Sequence, residues 1–420
     1  MNRVANWDWD TPEKRIEIGL WGNRFEWVEE FQASPDGEKI AAVVKQEDET
    51  FTVCLNGETW PSAFEKVWSL RFAPDGRLTA LVSEDGLWTV GVDGKTWDNR
   101  FDYVWAPRFS ADGKRIAVAF QQELKYAMAI DDAPWEQRYA NMTDMTLSPD
   151  GRHSAATVQT APLSEGDIFA FGQGIFTSAV NGERWPDQFV NVWGNVFSSS
   201  GRSLAAEVRL NRHQYTIAVD GKPWPQTFGL VWEPMFQPDG DAVTAPVRTE
   251  NGWTLAQDGR IIWPQCFQQC WQHQYSPDAK KIAAIVAPQF GKWTIAVDGV
   301  PWRQRVGSML ADMVFSPDSR RIAAAAKEED HWTMIVDDSR WQNRFRRLWP
   351  PIFSPDSRHV AAKVQGNGYY TIVIDDHCWR QHCDQLWQPV FHPSGEKVMV
   401  RSIENGVFYR RVLPLAELLQ

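Results

Sequence analysis

Short apolar runs alternate with polar turns along the whole chain, and the alternation has the period of a β-strand rather than of a helix. One stretch shows the unit: Gln274-Tyr275-Ser276 enters a turn, Lys281-Ile-Ala-Ala-Ile-Val286 follows, then Trp293-Thr-Ile-Ala-Val297, then a polar pair and Trp302. Strands recur every eight to twelve residues, which predicts an all-β fold. No apolar run is long enough for a membrane-spanning helix.

The turns repeat as regularly as the strands. Ser-Pro-Asp-Gly or a near variant has its proline position at Pro35, Pro74, Ala111, Pro149, Ser199, Pro238, Pro277, Pro317, Pro355 and Pro393. The spacings are 39, 37, 38, 50, 39, 39, 40, 38 and 38 residues, so ten units share one period with a single insertion in the fourth. Proline presets φ, aspartate accepts local backbone hydrogen bonds and glycine takes the left-handed conformation that closes the reversal. Ala279, Ser319 and Ser357 stand where glycine is expected, so those turns either differ or carry strain. A second turn, Asn56-Gly57, Asp93-Gly94, Asn181-Gly182, Asp220-Gly221, Asp258-Gly259 or Asp298-Gly299, is a strong hairpin signal.

Aromatic residues keep phase with these turns. One tryptophan series, assigned to the first strand of each unit, comprises Trp27, Trp68, Trp105, Trp193, Trp232, Trp271, Trp349 and Trp387, with Thr143 and Ala311 as exceptions. A second series precedes seven of these by eight residues at Trp60, Trp97, Trp185, Trp224, Trp263, Trp341 and Trp379; in the two exceptional units Trp135 fills that place and Trp302 falls one residue short of it. A phenylalanine usually sits between the two, and another aromatic opens the third strand. A sheet of four short strands cannot bury both faces alone, whereas such sheets packed face to face can, and this is the β-propeller solution. A buried tryptophan removes roughly 150–250 Å² from water, or about 4–6 kcal/mol. The indoles are therefore expected to be packing between blades.

The repeat resembles the WD40-like propeller repeat of the TolB and peptidase-propeller type, carried by Phe-Ser-Pro-Asp and an Ile-Ala strand, as in FSPDSRRIAA at 315–324 and FSPDSRHVAA at 353–362. The expected architecture is a β-propeller of about ten four-stranded blades in one ring; two smaller propellers in tandem are the alternative. Residues 1–15 read as an N-terminal arm, 16–412 as the propeller and 413–420 as a tail. The segment Ile16 to Phe31, with Trp21, Phe25 and Trp27, reads as a partial unit that completes the last blade. The tail sequence LPLAELL is a short apolar helix candidate.

Charge and cysteine usage narrow the function classes. A net charge of -11 excludes general binding to phosphate backbones, so no nucleic-acid partner is expected. The last 120 residues carry +2 and the first 300 carry -13, which reads as uneven solvation. Five cysteines and an N-terminus without an apolar stretch point to a reducing, cytoplasmic setting.

Cys266, Cys270 and His273, with His377-Cys378 and His382-Cys383, have permissible metal spacing. However, Cys383 falls on the core phenylalanine phase and Cys270 on that of Val231, so packing is preferred. There is no G-x-S-x-G elbow or phosphate loop, and most carboxylates sit in turns. No enzyme activity, catalytic residue, cofactor or metal is expected. The insertion at about 159–175, QTAPLSEGDIFAFGQGI, departs most from the repeat, and Ile168, Phe169 and Phe171 within it are the candidate partner-binding residues.

This tryptophan-rich character resembles the tryptophan-rich subunit family of the Tmc transmembrane electron-transfer complexes of sulfate-reducing bacteria. The resemblance implies a scaffold without a redox centre, cytoplasmic or peripheral on the inner face of the cytoplasmic membrane. It also implies neighbours: an iron-sulfur protein of heterodisulfide-reductase type, a membrane cytochrome b and, across the membrane, a multihaem cytochrome. A stand-alone propeller that binds a small ligand, glycan or peptide is the other reading.

Overall fold

A computed structural model describes residues 3–47, 49–161, 172 and 174–419. The fold is all-β with almost no helix, and ten antiparallel sheets form the ten blades of a β-propeller. Blades 1 to 9 span residues 27–59, 66–96, 103–134, 142–184, 191–223, 230–261, 269–301, 309–340 and 347–378. Blade 10 joins 385–414 to the early strand Glu13–Glu17. Within a blade, strands a to d follow in sequence order; strand a is interrupted in blades 6, 9 and 10, and strand d is only two residues long in blades 1 to 9.

The chain divides into two compact units, and they are not successive halves. One holds Met1–Glu47, Cys54–Thr59 and Phe267–Gln420, the other Asp48–Val53 and Trp60–Cys266. Both termini thus lie in the first unit, with blades 7 to 10. Blades 2 to 6 make up the second.

Hydrogen bonding explains why the turn motif is so uniform. In the first turn, Ser34 Oγ donates to Asp36 Oδ1 and accepts the Lys39 N–H, while Asp36 Oδ1 accepts the Glu38 N–H. The same three bonds recur at Ser148/Asp150, Ser276/Asp278, Ser316/Asp318 and Ser354/Asp356. These bonds favour the charged form, holding Asp150, Asp278 and Asp318 below the usual carboxylate range and Asp356 at about 2. The second turn caps strand b: Leu78 N–H donates to Asp93, Leu204 N–H to Asp220 and Val360 N–H to Asp375, at 2.8–2.9 Å. Turn carboxylates are structural throughout.

Ala279, Ser319 and Ser357 adopt φ of 56°, 64° and 64°, the same left-handed region as Gly37, so these turns keep their type and accept the strain. Two of them gain a bond that glycine cannot make. Ser319 Oγ accepts the Asp278 N–H of the preceding blade, and Ser357 Oγ accepts that of Asp318, both at 3.0 Å.

The two tryptophan series have different tasks. The series after strand d caps the glycine of the next blade's c–d turn: a Cβ on Gly182 would lie 3.2 Å from Trp135 Cβ, one on Gly221 3.1 Å from Trp185 Cγ, and one on Gly259 3.4 Å from Trp224 Cβ. Glycine is needed there for φ and for space, and all three indoles are buried. Where that turn reads Asp-Asp, the second carboxylate clamps the preceding blade instead. Asp132 accepts the N–H groups of Asp98 and Asn99, and Asp376 those of Gln342 and Asn343.

The strand-a series lies at the rim over the aromatic that opens strand c: Trp68 on Trp88 at 4.9 Å, Trp232 on Trp253 at 5.5 Å and Trp271 on Trp293 at 4.3 Å. The inner member is shielded by the outer, so Trp88 is 6% exposed while Trp68 is 44% exposed. Trp27 does not belong to this series. Register puts Glu29 opposite Val43 as Trp68 is opposite Leu81, each just before a bulge, so Trp27 stands two residues earlier on the same strand.

Closure of the last blade follows the partial-unit reading with a shifted strand. Glu13–Glu17 pairs with Val407–Pro414 from Glu13↔Arg411 to Glu17↔Val407. Trp21 then takes the post-strand-d place, its Nε1 3.9 Å from where a Cβ on Gly57 would stand, and Arg24 donates to Gly57 O at 2.6 Å. A charge cluster braces this join: Lys14 pairs with Asp8 and Glu38, and the fully buried Arg410 reaches Glu38 at 3.6 Å and donates to Thr11 O at 2.9 Å. The C-terminal residues Leu415–Leu418 form a short helix whose Leu415 and Leu418 pack into the core of blades 9 and 10.

Candidate functional site

An open groove of about 1380 Å³ lies between blades 3 and 4. Its wall is built by the repeat itself. Trp135 donates Nε1–H to Ser154 Oγ at 2.9 Å, and Tyr139 donates its hydroxyl to Gly182 O at 2.7 Å. Burial raises the Tyr139 phenol above its ordinary pKa. At Gly151 a Cβ would come within 2.5 Å of Arg115 Cβ, so only glycine lets the blade 4 turn rest on blade 3 at this point. Glycine at this position fixes the groove's width.

Four arginines line it: Arg115 and Arg138 from blade 3 and its exit loop, Arg152 and Arg184 from blade 4. Arg115 pairs with Asp131 at 2.8 Å, and Arg152 lies 3.7 Å from Asp150. Glu136 and Glu183 are the carboxylates of the lining, so with Asp131 and Asp150 counted the four arginines meet four carboxylates, and only Arg138 and Arg184 are left without an ion pair among the described residues. Thr160 and Ala161, at the base of the insertion, complete the lining, and Thr160 is tied to Ile175 O through its N–H and hydroxyl at 2.8 and 3.0 Å. Ile168, Phe169 and Phe171 lie outside the described residues.

A second polar cluster occupies the bulged first strands of blades 4 to 6. Asn195 bridges blades 4 and 5: its N–H donates to Asp144 Oδ2, its amide donates to Thr157 Oγ1, and its Oδ1 accepts from Ser178 Oγ. Glu207 stands opposite Trp193 in the central part of blade 5 and accepts the Glu233 N–H at 2.5 Å. Burial, reinforced by the nearby Glu233 and Asp144 charges, pushes its carboxyl up to about 7. It can therefore hold or release a proton near neutrality.

The cysteines behave as the repeat phase requires. Cys383 bridges Tyr370 as Phe64 bridges Phe51, and Cys270 is buried opposite Val286 as Val231 is opposite Val247. Burial raises the Cys383 thiol to about 12, so it is a packed thiol rather than a nucleophile. Among the described residues no group of three or more His, Cys, Asp or Glu is placed to hold a metal, and no helix is long and apolar enough to cross a membrane.

No protein family matches the chain. No curated protein matches it either. Among solved structures it is similar to a eukaryotic initiation factor at 12% identity, with 79% of this chain and 90% of that one covered and a TM-score of 0.47. TolB from Acinetobacter baumannii is similar at 15% identity, with 71% and 73% covered and a TM-score of 0.31. The Dos1 propeller covers 95% of both chains at 9% identity and a TM-score of 0.36. At these values the similarities carry no functional argument.

The sequence reading directed attention to the insertion and missed the groove beside it. Arg138 and Arg184 occur at ordinary phases of the repeat, in Glu-Gln-Arg and Glu-Arg. The one available signal was the pairing of two such arginines on consecutive units, Arg138 after strand d of one and Arg184 in strand d of the next.

Proposed function

We propose that the protein is a non-catalytic docking subunit that receives an acidic segment of a protein partner in the groove between blades 3 and 4. The supporting observation is the pair Arg138 and Arg184, which line one groove from consecutive units of a strongly acidic chain and make no ion pair among the described residues. Guanidinium groups bind carboxylates bidentately, and complementary charge accelerates association. At about 1380 Å³ the groove exceeds the roughly 300–1,000 Å³ of small-ligand pockets, which favours a polypeptide over a metabolite or glycan. The exposed tryptophans do not favour a glycan either, because Trp68 already packs at a tilt on Trp88 and Trp232 stacks on Trp253.

The finer reading follows the sequence resemblance. The partner would be an iron-sulfur subunit of heterodisulfide-reductase type beside a membrane cytochrome b, with this chain on the cytoplasmic side and carrying no redox centre. Co-purification from the native organism tests it. An iron-sulfur protein retained by the wild type, released by salt and lost in Arg138→Glu/Arg184→Glu, supports the reading. Recovery of the wild type as a lone monomer refutes it.

A further inference from the structure

Strand b carries an unusual residue at its centre in blade 9. Lys363 occupies the place that Leu81 takes in blade 2, Ile285 in blade 7 and Ala325 in blade 8, each opposite the strand-a rim position. The opposite residue here is Trp349, whose N–H donates to Lys363 O at 3.0 Å. Apolar residues satisfy blade packing at this position, so a lysine is not needed for the fold. Where blade 10 has a cation there, Arg401, its guanidinium donates to two backbone carbonyls, Ser34 O at 2.9 Å and Gln388 O at 2.8 Å. Lys363 has no such partners.

Its ammonium lies instead between two rings, 4.3 Å from the centroid of Trp349 and 4.8 Å from that of Tyr370. A second cation shares the first ring: Arg347 Cζ is 5.7 Å from the Trp349 centroid. Neither Lys363 nor Arg347 makes a side-chain hydrogen bond or ion pair among the described residues. Two like charges on one indole, one of them half-buried, repel each other without a counter-ion. Burial and Arg347 together lower the Lys363 pKa, which is the direction expected of an uncompensated cation.

We infer that Arg347 and Lys363, walled by Trp349 and Tyr370, form a binding site for an oxyanion, a carboxylate or a phosphate. Arg347 is exposed and can present two parallel N–H donors, while Lys363 supplies a point charge from the side. An anion between them would neutralise the repulsion and move the lysine's pKa back toward its ordinary value. A free small anion and an acidic side chain of a partner share this chemistry. The site lies in blade 9 and is independent of the groove between blades 3 and 4.

The test uses the full chain at pH 7 and fixed ionic strength, with chloride replaced stepwise by phosphate, by acetate or by a hexaglutamate peptide. Lysines are labelled by reductive 13C-methylation, and the Lys363 signal is identified by its loss in Lys363→Arg. A saturable shift of that signal, weakened about tenfold by Arg347→Gln through loss of a charge-assisted contact, is the expected result. Saturation by phosphate or acetate assigns a free anion, and saturation by the peptide alone assigns a partner's acidic segment. Thermal unfolding provides a second readout, independent of the labelling. Whichever probe saturates the signal should raise the wild-type melting temperature above the chloride control, and by clearly more than it raises that of Arg347→Gln, a change at an exposed position. No shift beyond chloride with any probe, or an Arg347→Gln chain that responds as the wild type does, overturns the inference.

Discussion

Replacing Glu207 by glutamine should stabilise the protein at alkaline pH and leave it nearly unchanged at about pH 4. The carboxyl ordinarily titrates at 4.5 and is raised to about 7 in the folded chain, first by burial and then by Glu233 and Asp144. Between those two values the native state binds more protons than the unfolded state, so stability falls as pH rises through this window. It is fully present below about 4.5 and lost above about 7. At about 1.4 kcal/mol per pH unit the ceiling is about 3 kcal/mol. Partial solvent contact brings the expected value nearer to about 2 kcal/mol.

Glutamine keeps the acceptor for Glu233 N–H but cannot ionise. At about 2–4 °C per kcal/mol for a body of this size, Glu207→Gln should melt about 4–8 °C above the wild type at pH 8, the difference shrinking to about zero at about pH 4. The assay is thermal unfolding followed by tryptophan fluorescence at half-unit pH steps. If wild type and variant show parallel pH profiles, Glu207 is ionised at no cost, and the argument from burial fails.

Other substitutions test the packing logic. Gly182→Ala should cost more than Gly86→Ala, because both residues have positive φ but only Gly182 would drive a Cβ to 3.2 Å from Trp135; equal losses of melting temperature would show that backbone strain alone, about 1–2 kcal/mol, explains both. Trp135→Ala should cost about 3–5 kcal/mol in denaturant unfolding, and Trp68→Ala clearly less, since the first indole is 6% exposed and the second 44%. Asp376→Ala strips acceptors from the N–H groups of Gln342 and Asn343 and should cost about 1–2 kcal/mol, with Asp376→Asn recovering part of it. A neutral Asp376→Ala would mean that water replaces the clamp.

The fold was readable from sequence because its constraints are local and repeated. Each Ser-Pro-Asp turn is closed by its own side chains, as at Ser34 and Asp36, so the motif and the structure coincide within six residues. Period then supplied the blade count, whereas the role of Trp21, which sits 39 positions before Trp60 and packs by Gly57, emerges only in the structure. Trp27 was misassigned for the opposite reason. Identity of residue type was taken as identity of place, while the bulge fixes the place at Glu29. The candidate sites escaped notice because repeat reasoning averages over units, and function here would reside in the deviations. Glu207, Lys363 and Arg401 replace apolar residues at one strand-b position in blades 5, 9 and 10, and each meets a different fate. Arg401 finds two backbone carbonyls. Glu207 finds one N–H and the repulsion of other carboxylates. Lys363 finds only rings and another cation. A buried charge costs free energy in proportion to what it lacks, so this ordering ranks the three as structure, titrating group and binding site, and the proposed measurements on Glu207 and Lys363 would separate the last two.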